Sequence, residues 1–222
     1  MLPLNFAGDP SAHRTIVCLG AHADDIEIGC GATLLRLLAD CRGVEVVWVV
    51  FSALGERERE AREGASRFLH GAARQHVRLF RFRDGHFPWQ GAEIKESLEA
   101  LKREFPEPDL VFTHLRGDRH QDHRTIAELT WNTWRRHMIL EYEVPKYDGD
   151  LGAPNCFVPV SREVIGFKAR TICDVFRSEA HKGWMTAETF EALARIRGIE
   201  CAAAEGWAEA FHCRKFILQG QP

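Results

Sequence analysis

Ile16-Val17-Cys18-Leu19-Gly20-Ala21-His22-Ala23-Asp24-Asp25-Ile26-Glu27-Ile28-Gly29-Cys30-Gly31 is the stretch that decides how this chain reads. It opens on an apolar run, Ile16 to Leu19, of the kind a buried strand requires. It closes on small residues, Gly29-Cys30-Gly31-Ala32, which lead into Thr33-Leu34-Leu35-Arg36-Leu37-Leu38. The pattern is strand, loop, helix. His22, Asp24 and Asp25 stand at the junction, with Glu27 just after. Side chains there project from the carboxyl end of a strand, where open α/β sheets bind ligands.

An imidazole and a carboxylate both ligate divalent metals such as zinc. His22 and Asp25 are three apart, so one tight turn can aim both at one point. Asp24 then points elsewhere, free to act on a water. A catalytic zinc keeps a position open for that water and brings its pKa to about 7. A nearby carboxylate can take the proton. A plainer reading has Asp24 and Asp25 capping the helix, where Asp is favoured and the dipole is positive. The two roles are compatible.

A second stretch favours the metal. Asp109-Leu110-Val111-Phe112-Thr113-His114 reads as another short buried strand. Leu115-Arg116-Gly117-Asp118-Arg119 follows, then His120-Gln121-Asp122-His123-Arg124, then a helix-like run from Thr125 to Arg136. His120 and His123 can face one site from a first helical turn. A lone histidine is more often a surface or packed residue than a ligand. A His-x-x-His beside two carboxylates, on a second loop of the same kind, is a stronger signal. His22, Asp25 and His123 make a His/carboxylate/His set with an open metal position.

These two motifs, AHADDIEIGCG and RHQDHR, resemble the LmbE-like, or PIG-L, family of zinc-dependent N-deacetylases. That family carries Ala-His-Pro-Asp-Asp-Glu after its first strand and His-Pro-Asp-His after a later one. The resemblance implies hydrolysis of the acetamide of an N-acetylated amino sugar or glycoconjugate. It implies Zn²⁺ on His22, Asp25 and His123, with Asp24 as general base. His120 matches the residue that stabilises or protonates the tetrahedral intermediate. A His/Asp/His set also accepts Fe²⁺, Mn²⁺ or Co²⁺. Three positions depart from the pattern. Ala23 replaces the proline, and Ile26 stands where Glu is expected, with Glu27 next. Asp118 sits where some members have Tyr. The resemblance covers residues 14–130 with specific motifs and the remainder weakly.

Three further residues are matched the same way. Arg57-x-x-Glu60, followed by Gly64-Ala65, fits the pattern after the family's second strand, where the Arg lies near substrate. Its neighbours, Glu56 to Glu63, read as a solvated, salt-bridged helix face. Asp84 matches an Asp that contacts sugar hydroxyls, although Asp84-Gly85 is first a turn signal. Ala208-Glu209-Ala210-Phe211 resembles a C-terminal family segment and places His212 near the metal or acyl group; a packed histidine is the plain alternative.

Composition sets the outer bounds. The 222 residues are 45% hydrophobic and 27% charged, with net charge −3, the profile of a soluble globular protein without a nucleic-acid surface. No apolar run reaches membrane-spanning length, and Met1 to Arg14 lacks the features of a signal peptide. The cysteines, Cys18, Cys30, Cys41, Cys156, Cys173, Cys201 and Cys213, form no Cys-x-x-Cys and read as reduced cytoplasmic thiols.

Along the chain, residues 1–222 read as one domain with 1–12 as a flexible lead-in. Strands are expected at Thr15–Gly20, Val44–Phe51, His76–Phe82, Asp109–His114 and Met138–Val144. Helices are expected at Ile28–Ala39, from Gly55 to Leu69, at Ala92–Glu104 and at Thr125–Arg136. Strands alternating with helices predict a Rossmann-like α/β sandwich of three layers, its sheet mainly parallel in the order 3-2-1-4-5. That order makes strands one and four neighbours at the switch point and unites the two motifs. The C-terminal part is less regular. Pro145 to Asn155 is a long loop of the kind that forms lids or binding loops, offering Lys146, Tyr147 and Asp148 to a polar ligand, with a simple connection as the plain alternative. Cys156–Val160 is a short strand at an edge because of Pro159. Helices follow through Ala180, at Thr186–Arg197 and at Ala202–Ala210, then a last strand at Phe211–Leu218.

Two other readings compete. Gly29-Cys30-Gly31 after a strand glances at a nucleotide-binding loop, but a third glycine is missing and His22 to Asp25 would meet the phosphate. A non-catalytic scaffold of the same fold would have no need of Asp24. No Gly-x-Ser-x-Gly elbow supports a serine hydrolase.

Overall fold

The computed structural model describes residues 12–217. The expected lead-in lies outside the described residues, Ala12 apart, as does Leu218. The strands are β1 (Arg14–His22), β2 (Val44–Ser52), β3 (Arg74–Leu79), β4 (Leu110–His114), β5 (Ile139–Tyr142), β6 (Cys156–Pro159) and β7 (Ala208–Cys213). The helices are α1 (Asp25–Asp40), α2 (Glu56–Phe68), α3 (Gly91–Glu104), α4 (Gln121–Thr133), α5 (Arg162–Val175) and α6 (Ala187–Glu200). Short 3-10 turns stand at Phe87–Trp89 and Arg177–Glu179.

The sheet runs β3-β2-β1-β4-β5-β7-β6. Its first five strands are parallel, in the expected order. β7 lies antiparallel to both β5 and β6. Alternation along the strands explains the three layers. Ile16 and Cys18 of β1, with Val46, Trp48 and Val50 of β2, face α1, α2 and α5. Val17, Leu19, Val47 and Val49 face α3 and α4 on the other side. With both faces covered, β2 is buried along its whole length. α1 crosses the sheet closely: a Cβ on Gly29 would stand 2.1 Å from the Tyr142 ring.

Several expectations are corrected. α1 and α4 each begin a turn earlier than expected, at Asp25 and Gln121, so both motifs lie on first helical turns. The expected helix over Ala202–Ala210 does not form, and the last strand is Ala208–Cys213 in place of Phe211–Leu218. Alanine-rich sequence favours helix, but propensity is a weak prior against a vacant place in a sheet. Ala202 at φ 53° and Gly206 at φ 78° turn the chain. Gly198 of α6 packs on the Gly206 carbonyl. The chain after Trp207 then fills the gap between β5 and β6, which leaves β6, with Pro159, as the edge strand.

Candidate metal centre and active site

β1 and β4 pair in register, Ile16 with Leu110 and Cys18 with Phe112. Their carboxyl ends therefore lie side by side, followed at once by the first turns of α1 and α4. His22 ends β1, Asp25 opens α1, and His123 sits in the first turn of α4. Asp25 Oδ2 accepts the His22 backbone N–H at 2.6 Å, which fixes the carboxylate.

The three side chains converge. His22 Nδ1 lies 3.3 Å from His123 Nε2 and 3.4 Å from Asp25 Oδ2. His123 Nε2 lies 3.4 Å from Asp25 Oδ1. A tetrahedral zinc with bonds of about 2.1 Å sets its ligand atoms about 3.4 Å apart. The donor set and its spacing thus fit a metal ion. The ring nitrogens facing away are held by carboxylates, as metal-ligating histidines require. Asp122 Oδ2 takes His22 Nε2 at 3.2 Å, and Asp84 Oδ1 takes it at 3.0 Å. Asp122 is itself fixed by the N–H groups of Gly85 (2.6 Å) and Phe87 (3.0 Å). Asp118 Oδ2 takes His123 Nδ1 at 2.9 Å. Two other clusters could offer ligands, His22/His120/Asp122 and His114/Asp118/His123. In both, a carboxylate already bonds a ring nitrogen, so His22/Asp25/His123 is the set left for an ion.

The rest of the shell is built from the same ends. Fully buried His114 stacks on His123 with ring centroids 3.9 Å apart. Its Nε2 accepts the Ala21 N–H at 3.0 Å. Asp118 Oδ1 accepts the His120 N–H at 2.7 Å. Lys146 reaches from the 145–155 loop to Asp118 Oδ2 at 3.0 Å. His120 caps α4, its Nδ1 accepting the Asp122 N–H at 3.3 Å. With that lone pair engaged, the neutral ring carries its proton on Nε2.

Asp24 does not cap α1: its side chain makes no cap hydrogen bond. Its Oδ1 meets Arg57 instead, at 3.1 Å. Arg57 is no solvated charge either. It lies between Asp24 and Glu60, which is fully buried and accepts the Ser178 N–H and hydroxyl. Of the charges read as a solvated face, Glu56 with Arg59, Glu58 with Arg62 and Glu63 with Arg67 do pair on the surface, whereas Glu60 is buried.

Electrostatics separate the adjacent carboxyls. Burial raises the Asp24 pKa, and Arg57 opposes that in part. Burial would raise Asp25 too, but His123 and His114 hold it well below the usual carboxylate range. His123 is pushed down to about 4 by burial and by His114. Burial lowers His22, yet hydrogen bonds to Asp122, Asp25 and Asp84 leave it well above the ordinary value. His120 falls through burial and the nearby His22.

A cavity of about 320 Å³ opens over the site. His22, Asp24, Asp25, Arg57, Asp84, His120 and His123 all line it, so the structure gathers seven of the eight residues singled out in the sequence. His212 is set apart. It sits on β7 opposite Glu141, its ring against Gly152, and does not line the cavity. Sequence reading missed His114 and Asp122 as parts of the site, took Asp118 only as a departure from a pattern, and offered Lys146 to a polar ligand, not to Asp118. His114 at the end of a strand and Asp122 within the second motif were signals in plain view; for Lys146 the only signal was its place on a long loop.

The family model described as "GlcNAc-PI de-N-acetylase" (PIG-L) matches residues 17–134. The chain is 33% identical to the "uncharacterized deacetylase YaiS" of Escherichia coli K12 over 144 residues, which are 60% of this chain and 75% of that one. Among solved structures, it resembles the N,N′-diacetylchitobiose deacetylase of Pyrococcus horikoshii, with a TM-score of 0.67 and 23% identity over 90% of this chain and 83% of that one. It also resembles GalB, a 4-carboxy-2-hydroxymuconate hydratase of Pseudomonas putida KT2440, with a TM-score of 0.72 and 15% identity over 94% and 99%. At those identities the structural likenesses speak for the fold.

Proposed function

Because the chain belongs to the PIG-L family, we propose that it is a metal-dependent hydrolase that removes the acetyl group from an N-acetylated amino sugar or glycoconjugate. The observation that carries this reading is the His22/Asp25/His123 set at tetrahedral spacing, with Asp24 on the wall of the same cavity. His22, Asp25 and His123 hold the metal, Zn²⁺ in our reading. When bound, such an ion acidifies a water and polarises the acetamide carbonyl.

The chain's own groups do the rest. Asp24 takes the proton from the water as it attacks the carbonyl carbon. Its raised pKa suits a base that must also give a proton back. Arg57 fixes the Asp24 carboxylate and keeps it ionised until then. His120 is a neutral donor in this arrangement: its pKa is lowered and its proton lies on Nε2. That N–H bonds the oxygen on which negative charge develops. Asp24 returns its proton to the nitrogen as the C–N bond breaks, which gives acetate and the free amine. Asp84, exposed and lining the same cavity, takes a sugar hydroxyl in this reading.

The test is acetate release from N-acetylglucosamine-containing compounds by zinc-loaded protein. We expect acetate and free amine in equal amounts, and a loss of about 10²–10⁴ in kcat for Asp24→Ala. The same fold serves a hydratase, which would add water to a carbon–carbon double bond and release no acetate. A zinc-loaded wild type that releases none from any such compound sinks the reading.

A further inference from the structure

Resting on the deacetylase reading, we propose that the outer half of the cavity is a subsite for an uncharged sugar ring, which makes the substrate an N-acetylated oligosaccharide and excludes phosphate-linked carriers.

Two segments build this outer half: the loop at 145–155 and the stretch 182–184 before α6. Tyr147 is 77% exposed, yet its hydroxyl accepts the Gly183 N–H at 3.1 Å. The hydroxyl is held while most of the ring lies exposed on the cavity wall. The loop that carries it is held as well. Gly152 N–H donates to Glu143 Oε1 at 2.9 Å, and Arg197 donates to the Gly152 carbonyl at 3.1 Å. Lys146 ties the near end to Asp118 and Asp150. A fixed, exposed aromatic loses little freedom on binding and presents an apolar face with polar neighbours, which is what a pyranose ring stacks on. Trp184 stands beside it with Lys182 5.5 Å from its ring centroid.

Charge decides what that ring can carry. Each cation lining the cavity is already held by carboxylates. Arg57 serves Asp24, Glu60 and Glu179. Lys146 serves Asp118 and Asp150, and Lys182 serves Glu179. Asp148, also on the wall, has no hydrogen bond or ion pair among the described residues. The lining holds five carboxylates, Asp24, Asp25, Asp84, Asp148 and Glu179, against those three cations. A divalent ion on the His22/Asp25/His123 set only balances the difference. Phosphate recognition needs uncommitted guanidinium, ammonium or clustered N–H donors. A phosphate placed here would face Asp84 and Asp148 instead. A neutral ring meets hydroxyl-binding carboxylates and an aromatic platform.

The experiment compares kcat/KM for N,N′-diacetylchitobiose, N-acetylglucosamine and UDP-N-acetylglucosamine, in wild type, Tyr147→Ala, Tyr147→Phe and Asp148→Lys. We expect wild type to prefer the disaccharide over both others by about tenfold or more. Tyr147→Ala should collapse the disaccharide-to-monosaccharide ratio toward one, while Tyr147→Phe, which keeps the ring, retains most of it. Asp148→Lys should raise the rate on the UDP-sugar relative to the disaccharide. A wild type that prefers the UDP-sugar, or a Tyr147→Ala ratio equal to wild type in a protein of unchanged melting temperature, overturns the proposal. If wild type releases acetate from none of the three, the deacetylase reading has failed, and calorimetric titration decides the subsite separately. Disaccharide binding that is tighter than UDP-sugar binding and lost in Tyr147→Ala supports it; the absence of disaccharide binding overturns it.

Discussion

Asp118→Asn is the sharpest probe of the centre, because it keeps the shape of the side chain and removes only its charge. Asp118 accepts three donors: the His120 N–H at 2.7 Å, His123 Nδ1 at 2.9 Å and Lys146 Nζ at 3.0 Å. An amide has one acceptor oxygen, and its NH₂ must then point at a donor. At least one partner is left unsatisfied in a place where Asp118 is 2% exposed. Losing a buried charge-assisted hydrogen bond costs about 1.5–3 kcal/mol. The metal-free variant should be less stable by that amount and melt at a lower temperature. The second effect falls on the ion. Asp118 holds His123 so that Nε2 turns its lone pair to the centre, and loss of such an outer partner weakens metal binding about 10–100-fold. Zinc affinity, read by competition with a chromophoric chelator, and melting in EDTA measure the two effects separately. A variant that binds zinc as tightly as wild type would refute the assignment of His123 as a ligand oriented by Asp118.

Other perturbations test the remaining pieces. Asp25→Ala should lose the metal while Asp24→Ala keeps it, read as metal per chain in proteins purified side by side; equal retention by both would erase the division between ligand and base. Gly29→Ala should destabilise by about 3 kcal/mol or more through overpacking on Tyr142, or fail to fold, and chemical denaturation will tell. Glu27 is fully buried with no hydrogen-bond partner for either carboxyl oxygen among the described residues, and burial raises its pKa well above the ordinary value. A carboxyl whose folded pKa is raised costs stability as pH climbs above its unfolded value of about 4.3. Glu27→Gln should therefore melt close to wild type near pH 4 and above it at pH 8; a constant difference across that range would count against the unpartnered carboxyl.

The sequence by itself determined the order of the first five strands and the place of the candidate site. Apolar strands alternating with amphipathic helices leave little choice but a parallel sheet with right-handed crossovers. Polar residues at two strand ends then have to meet at the switch point. This much is local pattern plus chain topology, and His22, Asp24, Asp25 and His123 were legible for that reason. What tertiary structure decided is everything that depends on partners distant in the chain. Arg57 was singled out by its motif, but Glu60 beside it read as one more charge on a solvated helix until Ser178 and Arg57 closed around it. Lys146 became part of the centre only when its loop folded back on Asp118. The segment after Ala202 reads as helix in isolation, yet it becomes β7 because a gap between β5 and β6 offers its backbone a full set of hydrogen bonds. His212, directly after the matched segment Ala208–Phe211, was carried by that strand to a place opposite Glu141 and outside the cavity lining. Spacing along the chain fixes which residues share a turn. Only packing fixes which turns share a site.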